Sequence, residues 1–199
     1  AVNLLSDADG SLEAVLDFRL VTKWKTAGDS LLGALRLARP ESREVLVLGA
    51  GTVARSLVAA YRAGFPGCRV ALWNRTRARA EALAAEAGAE VAGDLAAAVA
   101  RADIVSCATM ATEPVLRGAW LRPGQHLDLI GAYRPDMREA DDEALRRVRL
   151  FCDSRETTVA HIGEFMDPIA RGVIAAGDIV ADLYDGPALA RGGPEEITL

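Results

Sequence analysis

Cysteine is scarce, and its arrangement excludes two classes of protein. Cys68, Cys107 and Cys152 are odd in number, far apart and set in apolar surroundings. With no C-x-x-C and no nearby histidine pair, neither a disulfide framework nor a metal site is expected, and buried thiols in a reducing compartment fit better. Histidine is scarcer still: His126, at a strand start, and His161, on a predicted helix, are given ordinary structural roles. Positive charge is not in excess either, since 23 Lys and Arg stand against 28 Asp and Glu and the basic residues are dispersed. A net charge of −5 gives no reason to expect nucleic acid or an acidic membrane surface. No apolar run is long enough to span a bilayer and no signal peptide is visible, so a cytoplasmic protein is expected. An initiator methionine is also lacking. The chain begins inside an apolar strand-like run and stops at Glu196-Ile197-Thr198-Leu199, as a fragment or trimmed product would.

What the sequence does have is a strand, a glycine turn, a helix, a second strand and a basic turn between Val45 and Arg77. Glu44-Val45-Leu46-Val47-Leu48 is rich in branched residues, the pattern of a strand covered on both faces. It runs into Gly49-Ala50-Gly51-Thr52-Val53-Ala54, a G-x-G-x-x-A turn. There Gly49 permits the tight turn, Gly51 keeps a Cβ out of the path of a diphosphate, and Ala54 lets helix and strand approach. Val53, Ala54, Leu57, Val58 and Tyr61 share one helical face, and a second strand, Arg69 to Trp73, follows. At its end a site for NAD usually carries an acid, about 20 residues after the glycines, to hold the ribose 2′-hydroxyl. This chain has Asn74-Arg75-Thr76-Arg77 instead. A carboxylate would repel a 2′-phosphate, whereas guanidinium and hydroxyl groups bind it, so NADP(H) is favoured and NAD(H) remains possible.

At 199 residues the chain is long enough for one domain or one and a fraction. Ala1 to Leu5 and Leu12 to Phe18 read as a hairpin that needs more protein to cover it. Thr22 to Leu37 reads as a helix whose first turn carries Lys23 and Lys25, against the helix dipole; either an anion lies nearby or the helix start is simply solvated. After the glycine unit, strand and helix continue to alternate. Strands are expected at Ala89–Ala92, Asp103–Ala108, His126–Ile130 and Arg149–Asp153, giving six in all, with Asp94 capping one helix and Asp178 another over Ile179–Leu183. That alternation defines a doubly wound parallel α/β sheet. Thr109, just past the strand at Asp103–Ala108, lies where such sheets bind ligands.

Taken together, several of these segments resemble the ornithine cyclodeaminase/mu-crystallin family. They are Leu4-Leu5-Ser6-Asp7 with Gly10, Thr22-Lys23-Trp24-Lys25-Thr26-Ala27, Gly49-Ala50-Gly51, Thr109, Gly131-Ala132-Tyr133-Arg134-Pro135-Asp136-Met137-Arg138-Glu139, and Glu196 to Leu199. The resemblance implies a homodimer in which a Rossmann domain binds NAD(P) and a second domain, built from both chain ends, covers the substrate. Residues 1–38 are then part of the substrate and dimerisation domain, 42–175 the Rossmann domain, and 176–199 a return segment to the second domain. Where the family has Arg-Thr, this chain has Lys25-Thr26, which keeps the charge and loses the bidentate fork. Where cyclodeaminases carry the aspartate that closes the ring, it has Tyr133, and where they have a lysine, Met137.

Without that aspartate the cyclising mechanism lacks its proton carrier, and the Arg134-Pro135-Asp136-x-Arg138-Glu139 pattern resembles the imine-reductase branch, which implies NADP(H)-dependent reduction of a ketimine or cyclic imino acid of the pyrroline- or piperideine-2-carboxylate type. Lys25 would anchor the substrate carboxylate, and Tyr133 would donate a proton or, as the better fit, wall the pocket. Cofactor contacts are expected from Thr26, Gly49, Gly51, Thr52 and Val53, from Asn74, Arg75, Thr76 and Arg77, and from Thr109 and Ile130. Ornithine cyclodeaminase, an amino-acid dehydrogenase and a nucleotide-dependent binding protein without turnover stand as alternatives.

Overall fold

A computed structural model describes residues 1–199. Strands β1 (Val2–Leu5) and β2 (Leu12–Leu16) pair antiparallel across a turn closed by Gly10 at φ +73°. As expected, this hairpin is bare: Leu4, Leu5, Leu12 and Val15 are 50–60% exposed. Helix α1 (Phe18–Leu37) follows, four residues ahead of its expected start. Asp17 caps it by accepting the Arg19 amide at 2.7 Å, so Phe18, Leu20 and Val21 are already helical. Lys23 and Lys25 therefore lie beyond the first turn, and the position opposed by the helix dipole is taken by Arg19, beside the Asp17 cap.

Next come β3 (Glu44–Leu48), α2 (Thr52–Gly64), β4 (Arg69–Trp73), α3 (Arg77–Ala87), β5 (Glu90–Val91), α4 (Leu95–Arg101), β6 (Ile104–Cys107) and β7 (His126–Leu129). Helix α3 ends on Gly88 in the left-handed conformation, and α4 begins where Asp94 accepts the Ala97 amide at 2.8 Å. The strands form a parallel sheet in the order β5-β4-β3-β6-β7. Alternate residues serve two cores. Val45, Val47 and Ile104 pack with α1, α2 and α3, while Leu46, Leu48, Val105, Cys107 and Leu127 pack on the opposite face. The chain leaves β3 toward β5 on one side and returns at β6 on the other, so the strand order reverses between β3 and β6.

Beyond β7 the sheet continues by a route that the sequence does not reveal. The remaining elements are α5 (Asp142–Arg147), β8 (Leu150–Phe151), α6 (Arg155–Thr158), α7 (Gly163–Ala170) and β9 (Ile179–Ala181). The expected sixth strand, now β8, does not lie beside β7. Residues 197–199 lie between them: the Leu127 amide donates to Thr198 at 2.7 Å, and the Arg149 and Phe151 amides donate to Ile197 and Leu199 at 2.8 and 2.7 Å. On its far side β8 pairs in parallel with β9. Segment 176–199, expected to lead back to a second domain, thus lengthens this sheet edge. Ile179 to Leu183 is not the helix expected after Asp178: that carboxylate accepts the Ala175 amide at 2.7 Å in a one-turn 3-10 helix, and branched Ile179 and Val180 continue extended. His161 falls in a turn, also not a helix. No helix is long and apolar enough to cross a membrane.

Candidate active site

The glycine turn sits at the reversal point of the sheet. Gly49 has φ +120°, donates its amide to Trp73 at 2.8 Å, and is so close to β6 that a Cβ there would lie 2.5 Å from the Ala108 carbonyl oxygen. Gly51 is different. It has an ordinary extended backbone (φ −93°), caps α2 with no side-chain bond, and a Cβ on it would meet nothing within 4 Å. One glycine is thus required by the protein, and the other keeps clear the space in front of the first turn of α2. That turn holds Thr52 and Val53 and no acid, so its free amides and the positive end of the dipole are open to an anion. Ala54 is fully buried against the sheet, the close packing expected of it.

At the end of β4, Asn74 donates its side-chain amide to the Thr76 carbonyl at 2.9 Å and shapes the turn. Arg75 and Thr76 are exposed, and Arg75 makes neither a side-chain hydrogen bond nor an ion pair. Arg77 is already engaged, since its guanidinium bonds Glu81 at 2.8 Å one turn further along α3. The free positive group of this turn is therefore Arg75. With Gly51's clear space and the uncapped helix start, these residues fit the phosphates of a dinucleotide.

Across the crevice, the ends of β6 and β7 are fastened together by a side chain that no local sequence signal marked. Glu139, fully buried, accepts the Thr109 amide at 2.7 Å, the Thr109 hydroxyl at 2.6 Å and the Gly131 amide at 2.7 Å. A Cβ on Gly131 would lie 2.2 Å from the Thr109 carbonyl oxygen, so the two strand ends touch. Glu164 of α7 holds the same loop by accepting the Glu139 and Ala140 amides at 2.6 and 3.1 Å.

Next to this junction, Ile130 and Ala132 line a cleft of about 150 Å³ between α1 and the β7–β8 edge, which Asp29, Asp128, Asp153 and Glu164 also line. Lys25 lies one helical turn from Asp29 and is ion-paired to it at 2.9 Å, a bond that raises the lysine pKa. Asp128 accepts from Tyr61 at 3.1 Å and from Ser106, and burial raises its pKa. Tyr133 is 60% exposed, stacked on Arg134, and does not line the cleft. The structure thus gathers Thr109, Ile130 and the glycine turn at the adjoining carboxyl ends of β3, β6 and β7, while of the expected site residues only Ile130 lines the cleft; Lys25 and Tyr133 do not. His126 is buried, with Nδ1 3.0 Å from Thr198 Oγ1, and burial lowers its pKa to about 3. A neutral ring at the base of a strand fits the structural role expected of it.

Burial also pushes Glu139 up to about 8, against its three donors. A carboxyl raised by folding holds more protons folded than unfolded between its ordinary value of 4.5 and 8, so its stabilisation is complete below pH 4.5 and is lost as pH rises through 8. His126 acts in the opposite sense, complete above pH 6.5 and lost as pH falls toward 3. Above pH 6.5 Glu139 acts without that opposition. Stability is expected to fall by on the order of 2 kcal/mol between pH 6.5 and 8.5. Thermal unfolding at the two pH values measures this, and Glu139→Gln should flatten the decline; an unchanged wild-type midpoint would refute it.

The family description "Ornithine cyclodeaminase/mu-crystallin family" matches residues 1–199. A Delta(1)-pyrroline-2-carboxylate reductase of Paracoccus denitrificans is 57% identical over 183 residues, which cover 89% of this chain and 58% of the relative. The ketimine reductase mu-crystallin of Mus musculus is 37% identical over 185 residues, covering 92% of this chain and 57% of that protein. Among solved structures, a Thermococcus litoralis Delta(1)-pyrroline-2-carboxylate reductase in complex with NADH and L-proline superposes with a TM-score of 0.90 at 29% identity, over 99% of this chain and 64% of that one. The chain spans a little under three fifths of the length of these two curated relatives.

Proposed function

The chain belongs to the ornithine cyclodeaminase/mu-crystallin family, and from that premise we propose that it carries the dinucleotide-binding part of an NADP(H)-dependent reductase of ketimines or cyclic imino acids. The observation that carries the reading is the 57% identity to a pyrroline-2-carboxylate reductase over 89% of the chain. The site supports it in two ways. The β4 turn has a free Arg75 and no acid, which suits NADP(H) over NAD(H). The loop after β7 carries Tyr133 where a cyclising acid is wanted, and the next carboxylate along the chain, Asp136, is bound to Arg134 at 2.8 Å.

When bound, the dinucleotide supplies a hydride from the nicotinamide C4 to the imine carbon. The chain's own residues do the rest. The α2 start and Gly51 hold the diphosphate, Arg75 with Thr76 holds the 2′-phosphate, and Thr109, Ile130 and Thr26 border the nicotinamide half. Lys25, released from Asp29, anchors the substrate carboxylate. An imine that arrives protonated at nitrogen needs no proton from the protein to become an amine, so an exposed Tyr133 is no obstacle. We assign residues 1–38 to a substrate and dimerisation unit and 42–175 to the Rossmann domain, with 176–199 as the return segment to the second domain. The bare apolar surface of Leu4, Leu12, Phe18 and Trp24 is assigned to contact with a second copy. Three free cysteines suit a reducing cytoplasm.

The test is NADPH oxidation by the full-length protein, since the 199 residues alone are expected to bind cofactor without turnover, with pyrroline-2-carboxylate and with piperideine-2-carboxylate, beside ammonia release from ornithine. Oxidation without ammonia is expected. Ammonia release would overturn the reading in favour of a cyclodeaminase, and silence in both would favour a binding protein.

A further inference from the structure

The hydrogens around Glu139 carry an inference about what the crevice recognises. Of its three donors, two are backbone amides, Thr109 and Gly131, whose hydrogens are fixed in direction. The third is the Thr109 hydroxyl, which has one hydrogen and two lone pairs and sits 2.6 Å from Glu139 Oε1. While Glu139 is ionised, giving up this bond would cost the buried carboxylate a third of its compensation, so the hydroxyl hydrogen is committed to it. The only other group on the Thr109 oxygen is the Ala111 amide, at a long 3.4 Å.

We propose that Glu139 is a positioning residue that fixes the hydrogen-bond polarity of the crevice: by taking the only hydrogen of the Thr109 hydroxyl, it leaves Thr109 to offer a bound nicotinamide oxygen lone pairs alone. The partner must therefore donate, and on a nicotinamide ring the donor is the carboxamide NH2. This rests on the dinucleotide reading and adds to it the orientation of the carboxamide and the residue that imposes it. Glu139 itself does not touch the ligand; it acts through Thr109 and Gly131, and so sets both the separation of the β6 and β7 ends and the character of the group between them.

The polarity depends on Glu139 being ionised. The groups that face it are Thr109 at the end of β6, Gly131 at the end of β7 and the Glu164 carboxylate on α7, with the Cys107 thiol of β6 close by; neighbouring Arg138 pairs with Glu164 at 3.8 Å as well as with Asp142 and Asp167. A proton added at Oε1 would point at the Thr109 oxygen, reverse that bond and free the hydroxyl hydrogen for the ligand. The preference for a donor is thus strongest above pH 8 and fades below it.

The experiment measures dissociation constants of the 199-residue chain at pH 9 for the oxidised dinucleotide and for its 3-acetylpyridine analogue, in which a methyl group replaces the carboxamide NH2. Wild type should bind the analogue about tenfold more weakly, the worth of one hydrogen bond. Thr109→Val should bind both forms alike, Thr109→Ser should restore the discrimination, and Glu139→Gln should reduce it. At pH 6.5 the wild-type ratio should approach one. A wild type that does not discriminate at pH 9, a Thr109→Val variant that still does, or a ratio unchanged between the two pH values overturns the proposal. Failure to bind either dinucleotide would instead refute the cofactor reading beneath it, and the two failures are distinguishable. Thr109→Val keeps the backbone amide bonded to Glu139, so it provides a readout even where Glu139→Gln does not fold.

Discussion

Alanine at Gly51 is expected to leave the protein as stable as before and unable to hold a dinucleotide, while alanine at Gly49 is expected to damage the fold itself. At Gly51 the backbone angle suits any residue and the new methyl meets nothing within 4 Å, so unfolding should move by less than about 0.5 kcal/mol. That methyl projects into the space in front of the α2 start, where a diphosphate must approach the amides. Dinucleotide affinity should fall by about a hundredfold or more, as two hydrogen bonds to a charged group are lost. At Gly49, φ +120° is strained for alanine, and the Cβ would lie 2.5 Å from the Ala108 backbone oxygen, which cannot swing away as a side chain can. Strain and overpacking together should cost about 2–5 kcal/mol. Denaturant unfolding with a dinucleotide titration on both variants separates the roles. If Gly51→Ala still bound tightly, the glycine turn would be structural only.

Arg75→Ala is expected to weaken NADPH far more than NADH. Its guanidinium has no partner within the protein, so removing it leaves no buried charge behind and the folded chain should be unaffected. Against a 2′-phosphate it would supply a hydrogen bond to a charged group, about 1.5–3 kcal/mol, or roughly ten- to a hundredfold in dissociation constant. NADH, without that phosphate, should change by less than about twofold. Arg77→Ala serves as the comparison: because Arg77 is tied to Glu81, its loss should affect NADPH less. Equal losses of NADPH and NADH in Arg75→Ala, or wild-type affinities that are the same for both, would sink the NADP(H) assignment.

The elements that could be read from the sequence are those whose cause is local. Strand β3, the glycine turn and β4 have boundaries set by branched runs and by Gly49 and Gly51, and Gly88 and Asp94 mark helix ends through their own backbone angle and side chain. The start of α1 was misplaced because two plausible beginnings compete, and the true cap, Asp17, sits at the end of a strand-like run. Ile179 to Ala181 followed an acid that resembles a helix cap but closes a 3-10 turn. The place of β8 in the sheet is set by residues 197–199, some fifty positions on, and no periodicity in Leu150-Phe151 carries that information. At the site, Arg75 and Thr109 were legible because they end strands. Glu139 was not, since an acid between Arg138 and Ala140 looks solvated until tertiary folding closes two strand ends over it.

The insertion of residues 197–199 between β7 and β8 has a consequence for how the chain acquires its shape. Thr198 pairs with His126, 72 positions earlier, a wider separation than any of the strand pairings β1 to β9 make among themselves. During synthesis β3, β4 and β6 can assemble as they emerge, whereas β7 has no neighbour on its outer side until residue 198 is made. Until then it presents an open row of amides and carbonyls, a template for another nascent chain. Refolding should therefore have a late, slow phase belonging to this edge alone, and it is there that crowding in the cell would compete with productive folding.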